Sequence, residues 1–470
     1  MDPVLLIDFG STYTKLTAVD AQGRIILATA QSYTTAAEDV SIGFHKALRL
    51  LSQKTGPLEY RARLACSSAA GGLRMVACGL VPGLTAKAAR FAAFGAGAKV
   101  IKTYAFELTE DDAREIEKAS PDILLLVGGT DGGNSDVVRH NAGVVAKIPG
   151  DFPVVYAGNR AAASACAQAL SNSPHRVYTA PNVMPALGKL DVTPAQQVIR
   201  EIFLERIIRG TGLSDYSEIL DGILMPTPSA VLEALTLLGD GLPGKKGLGD
   251  LVAVDLGGAT TDIYSIATGD PVDPSVGLHG LREPRVKRTV EGDIGMRYSA
   301  RGILAAAGME ELCAVSGLCE SRCAELMAHI DQDPSLLPGN ADEEALDRAL
   351  AVLAIRLGLI RHAGTLEEVY SPAGLLYRQT GKDLTRVNRV ILTGGALIHA
   401  ADAAGIARES AQVRDAGALI PRQFEVTVDR QYILSAMGLL AGYNREAAFD
   451  MMNDHLKRGE AYAADQQEMV

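Results

Sequence analysis

One short pattern is written twice in this chain, and the repeat constrains the fold more than any other feature. Near the start runs Leu5-Leu6-Ile7-Asp8-Phe9-Gly10-Ser11-Thr12. In the second half runs Val252-Ala253-Val254-Asp255-Leu256-Gly257-Gly258-Ala259-Thr260-Thr261-Asp262. Each copy is an apolar strand ending in Asp-x-Gly, then small hydroxyl residues, then another strand. Each is followed, well over a hundred residues later, by an apolar strand ending in two glycines: Leu126-Val127-Gly128-Gly129-Thr130 and Leu392-Thr393-Gly394-Gly395-Ala396. The duplication predicts two related lobes. If they face each other, both Asp-x-Gly hairpins meet at one cleft.

The residue types in these hairpins suit phosphate. Glycine at a tip lets backbone N–H groups approach an anion with no Cβ in the way. Ser11, Thr12, Thr14, Thr260 and Thr261 add hydroxyl donors. Asp8 and Asp255, at strand ends, suit a hydrated Mg²⁺, which keeps several waters and takes few carboxylates. Lys15, across its hairpin from Asp8, is positioned to neutralise developing phosphate charge. A single Asp-x-Gly turn is most often only a turn; the matched pair gives the reading its weight.

Apolar strands alternate with helical stretches, which predicts an α/β fold. The clearest strands are Val4–Asp8, Lys15–Val19, Ile123–Val127, Val154–Ala157, Leu251–Asp255, Asp262–Ile266 and Val390–Thr393. Thr193 and Pro194 open a helix whose Val198, Ile199, Ile202, Phe203 and Ile207 recur at helical spacing before Gly210. The expected domains are a first lobe over 1–190, a helical connection over 191–248, a second lobe over 249–430 with a helical subdomain about 296–385, and a C-terminal helix and tail over 431–470. Gly239 to Gly249 reads as a linker. Its partial dinucleotide and Walker-like spacings precede a strand rather than follow one. The loop Thr130-Asp131-Gly132-Gly133-Asn134 follows a strand and is a better phosphate candidate, with a plain tight turn as the equal alternative. His140 and Asn141 beyond it read as helix residues.

A net charge of −11 over 470 residues argues against a nucleic-acid or membrane-surface partner. The longest apolar run, Ala349 to Ile355, is too short to span a bilayer. With no leader-like start, the expected location is cytoplasmic. The 6 cysteines include no Cys-x-x-Cys pair. Cys319 and Cys323 share a helix face with Cys313 just before them, and plain thiols are the better reading than a metal cluster.

These motifs resemble those of the superfamily that joins actin, sugar kinases and heat-shock chaperone ATPases. Asp8-Phe-Gly-Ser-Thr looks like its first phosphate motif, with Lys15 at the offset of actin's phosphate-contacting lysine. Asp255-Leu-Gly-Gly-Ala-Thr-Thr-Asp262 looks like the second, and Val390 to Ile398 like the adenosine motif, where Gly394, Gly395 and Ala396 turn beneath the nucleoside. Thr289 to Gly295, with Glu291, resembles the stretch opening the adenine-side subdomain. Met225-Pro-Thr-Pro-Ser-Ala230 resembles the crossing helix between lobes. The chaperones have a glutamate where this chain has Met225, so their hydrolytic acid does not transfer. The resemblance implies an actin-like ATPase fold of two ribonuclease H-like lobes, with ATP and Mg²⁺ as ligands.

A closer resemblance covers nearly the whole chain. Ala65 to Met75, Val127 to Asn141, Pro181 to Pro185 and Thr289 to Arg297 are similar to the glutamate mutase accessory family, called MutL in mutase operons. That resemblance implies a chaperone or reactivator of an adenosylcobalamin-dependent mutase, such as glutamate mutase or an aminomutase, with slow ATP turnover that changes the angle between lobes. Its alternatives are a small-molecule kinase using Asp131, a nucleotide-sensing scaffold without turnover, and an iron–sulfur activator ATPase, for which the cysteine spacing gives no clear ligand set.

Overall fold

The computed structural model describes residues 1–10, 12–34, 40–68, 73–210, 223–371, 374–413 and 417–467. Ser11 and the Ala69–Gly72 part of the family-like block lie outside the described residues. The chain divides into two compact units, Met1–Ala234 with Leu434–Met451, and Leu235–Ile433 with Met452–Val470.

The first unit runs β1 (Pro3–Phe9), β2 (Tyr13–Asp20), β3 (Ile25–Tyr33), α1 (Val40–Thr55), β4 (Ala62–Ser67), β5 (Arg74–Gly79), α2 (Lys87–Gly95), β6 (Lys99–Ala105), α3 (Glu110–Ala119), β7 (Ile123–Leu126), α4 (Asp136–Val145), β8 (Val154–Tyr156), α5 (Ala163–Leu170), β9 (Val177–Thr179), α6 (Thr193–Gly210), β10 (Ile223–Pro226) and the start of α7 (Thr227–Asp240). One sheet has the order β3-β2-β1-β4-β10, antiparallel across β1–β2 and β2–β3 and parallel across β1–β4 and β4–β10. The other, β6-β5-β7-β8-β9, is wholly parallel. Its chain steps outward from β5 to β6 and then returns past β5 to β7. Right-handed crossovers on both sides of that reversal send α2 to one face and α3, α4 and α5 to the other. The cores agree. Ala88, Ala89, Ala92 and Ala93 of α2 pack with Ile199, Ile202 and the β1–β2 residues Leu5, Ile7 and Leu16. Ile116, Val138, Ala142, Cys166 and Leu170 form a separate core on the opposite face. Alanines on α2 keep it thin enough to share one core with both sheets.

The second unit runs β11 (Gly241–Leu242), β12 (Lys245–Lys246), β13 (Leu251–Leu256), β14 (Thr261–Ile266), β15 (Val276–His279), β16 (Val286–Glu291), α8 (Ala300–Ala307), α9 (Met309–Ser316), α10 (Glu320–Gln332), α11 (Ala341–His362), β17 (Thr365–Ser371), β18 (Gly374–Thr380), β19 (Arg389–Thr393), α12 (Gly395–Ile398), α13 (Ala403–Ser410) and β20 (Glu425–Val428). Two helices follow, α14 (Leu434–Tyr443), which returns to the first unit, and α15 (Arg445–Gln467). The main sheet, β16-β14-β13-β19-β20, repeats the first unit's mixed sheet strand for strand: two antiparallel neighbours on one side of its first strand, two parallel neighbours on the other. This is the ribonuclease H-like sheet built twice, the actin-like ATPase fold. The apolar run Ala349 to Ile355 lies in α11 and is buried along its whole length, as a helix apolar on all sides must be. The Gly239–Gly249 segment, read as linker, forms the small β11–β12 ribbon.

One part of the sequence reading is corrected. Gly128-Gly129 was matched to Gly394-Gly395, yet the strands before them are not counterparts. β19 lies beside β13, whereas the place beside β1 is filled along its length by β4, Val4 to Phe9 pairing with Ala62 to Ser67. β7 belongs to the parallel sheet instead. Both glycine pairs follow a buried parallel strand, but Gly395 opens α12 at once, whereas Gly128-Gly129 leads into a loop that reaches α4 only at Asp136.

Candidate functional site

The two hairpins close the same way. Gly10 N–H donates to the Tyr13 carbonyl at 3.1 Å, and Gly257 N–H donates to the Thr260 carbonyl at 3.0 Å. A Cβ on Gly10 would stand 2.6 Å from that carbonyl oxygen, so the turn requires glycine there. The register places Asp8 opposite Lys15, and Asp255 opposite Asp262. Cross-strand partners point to the same face, so acid and lysine flank each other in the first copy. In the second copy the lysine's place is taken by an aspartate.

Asp8 is only 4% exposed. Its Oδ1 accepts from Thr227 Oγ1 at 2.6 Å and from Cys66 Sγ at 3.6 Å, and its Oδ2 accepts from Ser435 Oγ at 3.0 Å. Burial, and then the Asp8 charge, push the Cys66 thiol well up, so it stays a donor. An ionised carboxylate has about four acceptor positions, and these donors take three of them. Thr227 opens α7 and supplies the purpose of the Pro-Thr block. Ser435 was missed by the sequence reading; its one signal is a serine at the start of the apolar helix α14. Gly438 in the same helix lets α14 approach α7, since a Cβ there would sit 1.9 Å from the Ala230 carbonyl oxygen.

The hydroxyl candidates separate into two pairs. Thr14 and Thr261 occupy corresponding positions and are both fully buried. Thr14 Oγ1 lies 3.0 Å from Thr34 Oγ1, and Thr261 Oγ1 donates to the Ile294 carbonyl at 3.0 Å. Both hydroxyls serve the fold. Thr12 and Thr260 sit at the tips, exposed and half-buried respectively.

The second tip is held from below. The carbonyls of Gly257 and Gly258 accept from the amides of Met296, Arg297 and Tyr298 at 3.0, 2.8 and 2.9 Å. Gly295 lies so close to Ala259 that a Cβ would stand 2.4 Å from its carbonyl carbon. Arg297 is fixed by a two-pronged bond to Asp347 at 2.9 and 2.6 Å. The Thr289–Arg297 block is thus the buttress of this hairpin. With its carbonyls so engaged, the tip leaves the amides of Gly258 and Ala259 without a hydrogen bond among the described residues. Those amides fit an anion, and Asp8 and Asp255, each within its own unit, are strand-end carboxylates of the kind a hydrated divalent cation takes.

Gly394 abuts the same hairpin. At φ 93° it lies against β13, where a Cβ would meet the Leu256 oxygen at 2.4 Å and Asp255 Oδ1 at 2.7 Å. Gly395 is exposed and has nothing within 4 Å of its Cβ position, while Ala396 packs on the core. Asp262 and Glu291 have partners within the protein. Asp262 Oδ1 accepts from Arg288 Nε at 2.8 Å, and Glu291 Oε2 from Arg361 Nη1 at 2.8 Å. Asp131, the kinase candidate, lies after β7 in the other sheet. Its Oδ1 accepts from Arg160 N–H at 2.9 Å and from Asn182 Nδ2 at 3.0 Å, which makes it a brace among the loops. Buried Asn159 completes that brace by donating to the carbonyls of Gly133 and Asn134. Asn141 and His140 bond the Phe106–Leu108 backbone and are structural.

Among the described residues no group of three or more His, Cys, Asp or Glu could hold a metal ion directly, and no helix is long and apolar enough to cross a membrane. Similarity to solved structures is remote. Nucleotide-free acetone carboxylase is 15% identical with a TM-score of 0.40, covering 93% of this chain and 70% of that one. The 2-hydroxyisocaproyl-CoA dehydratase activator of Clostridium difficile, with bound ADPNP, is 10% identical with a TM-score of 0.34, covering 96% and 97%. By sequence the likeness is much stronger. Protein MutL of Clostridium tetanomorphum is 44% identical over 463 residues, 97% of this chain and 99% of that protein. A sequence model of the MutL protein family matches residues 4–456, and the chain belongs to that family.

Proposed function

We propose that this chain is a slow Mg²⁺-dependent ATPase serving an adenosylcobalamin-dependent mutase, such as glutamate mutase or an aminomutase, as its chaperone or reactivator. The observation that carries the nucleotide half is the duplicated hairpin: one turn built twice, each beside a strand-end aspartate, the second with two unengaged amides. Membership of the MutL family supports the mutase half.

In this reading Asp8 and Asp255 orient Mg²⁺ through its waters, and Thr12, Thr260 and the Gly10 and Gly257–Gly258 turns receive phosphate oxygens. Lys15 offsets charge on the transferred phosphate, and Gly394-Gly395-Ala396 presents bare backbone to adenosine. Bound Mg²⁺ supplies charge neutralisation at the phosphates. Turnover is slow because Met225, beside Cys66 in the register, stands where the chaperones have their acid. The kinase alternative would rest on Asp131, whose Oδ1 is bonded into the loop brace.

The test has two stages. Calorimetry should detect Mg²⁺-dependent ATP binding that Asp8→Ala and Asp255→Ala each weaken or uncouple from the metal. Recovery of an inactivated mutase, supplied with fresh adenosylcobalamin, should then need hydrolysable ATP and fail with Asp255→Ala. No ATP binding by the wild type overturns the first half. Equal recovery without nucleotide overturns the second.

A further inference from the structure

The nucleotide reading makes no use of the three cysteines of α9 and α10, yet their geometry is specific. Cys313 on α9 donates its thiol hydrogen to Cys323 of α10, with the sulfurs 3.8 Å apart. Ser316 Oγ lies 3.5 Å from the Cys323 sulfur. α9 stops at Gly317, φ 72°, whose amide returns to the Cys313 carbonyl at 2.9 Å, and α10 starts after a short turn. The turn therefore fixes one thiol against the other. Cys323 is fully buried in the core, whereas Cys313 is half-buried and open to small solutes. Cys319, exposed at the N-cap of α10, is bonded to Ser321 Oγ at 3.3 Å.

We propose that Cys313 and Cys323 form a modification site for small hydroperoxides, which convert the pair to a disulfide joining α9 to α10. Burial, and then the hydrogen bond to Cys323, hold the Cys313 thiol protonated, so its sulfur attacks the peroxide as it gives up that proton, which makes the step slow. A sulfur–oxygen bond forms, the oxygen–oxygen bond breaks, and the departing oxygen leaves as water or alcohol with the thiol's proton. The Cys323 sulfur then attacks the sulfenic sulfur of Cys313. The sulfur–sulfur bond forms and the sulfur–oxygen bond breaks, and the leaving hydroxide takes the Cys323 proton as water. Two thiols lose two electrons in all, and one peroxide gains them. The sulfurs must close from 3.8 Å to the bonded length of about 2.0 Å. The short turn joining the two helices keeps the two thiols together while the sulfurs close. Exposed Cys319 is oxidised separately and stays outside the bridge.

The test uses the full chain and does not depend on nucleotide. The reduced protein is treated with hydrogen peroxide, alkylated, and mapped by non-reducing peptide mass spectrometry. The free-thiol count should fall by two from 6 through a Cys313–Cys323 link, apart from any sulfenic acid at Cys319, and a thiol reductant should restore it. Cys319→Ser should keep the link, and half-buried Cys313→Ser should abolish it with the circular dichroism spectrum unchanged. The link is read directly in the wild type, so misfolding of a variant cannot mask it. Cys313 and Cys323 both still alkylatable after oxidation of Cys319, or a bridge that includes Cys319, would overturn the proposal.

Discussion

The neighbouring glycines Gly394 and Gly395 make opposite demands, and their contrast tests the second hairpin. Alanine at Gly394 must adopt φ 93° and place its Cβ 2.4 and 2.6 Å from Leu256 backbone atoms. The glycine-only conformation, φ 93° with ψ 148°, costs an alanine about 1–3 kcal/mol and displacing the end of β13 about 1–3 kcal/mol, so Gly394→Ala should lose about 2–6 kcal/mol. For a unit of this size, that lowers the melting transition by about 5–15 °C. At Gly395 nothing lies within 4 Å of a Cβ. Gly395→Val should therefore fold to within about 1 kcal/mol of the wild type. Its branched side chain would stand where the adenosine reading needs bare backbone, and ATP affinity should be lost. Urea unfolding followed by circular dichroism gives the stabilities, and calorimetry gives the affinities. A Gly394→Ala variant as stable as the wild type would refute the packing argument. Unchanged ATP affinity in Gly395→Val would reduce the turn to a structural device.

Two further outcomes are expected. Lys15→Ala should slow ATP hydrolysis more than it weakens ATP binding, because charge on the phosphate changes in the transition state; wild-type turnover should itself lie well below about 10 per second, and hundreds per second with water as acceptor would contradict the reading. Stability should also fall in acid through His362, fully buried between Thr289 Oγ1 and Ser265 Oγ. Burial, then the charges of Lys287 and Lys382, hold its pKa well below the ordinary 6.5. Only the unfolded chain gains this proton as pH falls below 6.5, so stability is full above that pH and lost beneath it, by up to about 1.4 kcal/mol per pH unit. His362→Gln should flatten that slope in urea midpoints taken between pH 7.5 and 5; an identical slope would show that another group is responsible.

The hairpins, the α/β class and the start of α6 were all legible in the chain itself. Each rests on neighbours in sequence: glycine where a turn closes on its own carbonyl, apolar strands ending in a polar residue, Thr-Pro opening a helix. The duplicated fold was legible for the same reason, since two copies of one local pattern demand two similar sheets. Tertiary structure alone decided which strand fills the place beside β1, and so parted Gly128-Gly129 from Gly394-Gly395. It also decided which hydroxyls face inward. Thr14 and Thr261 look as available as Thr12 and Thr260 until the register turns them to the buried face. Thr227 and Ser435 reach Asp8 from 219 and 427 residues away, and neither the Pro-Thr block nor a serine in an apolar helix says which carboxylate it serves. A buried carboxylate must find donors wherever the packed chain brings them, and only the complete fold determines which residues those are.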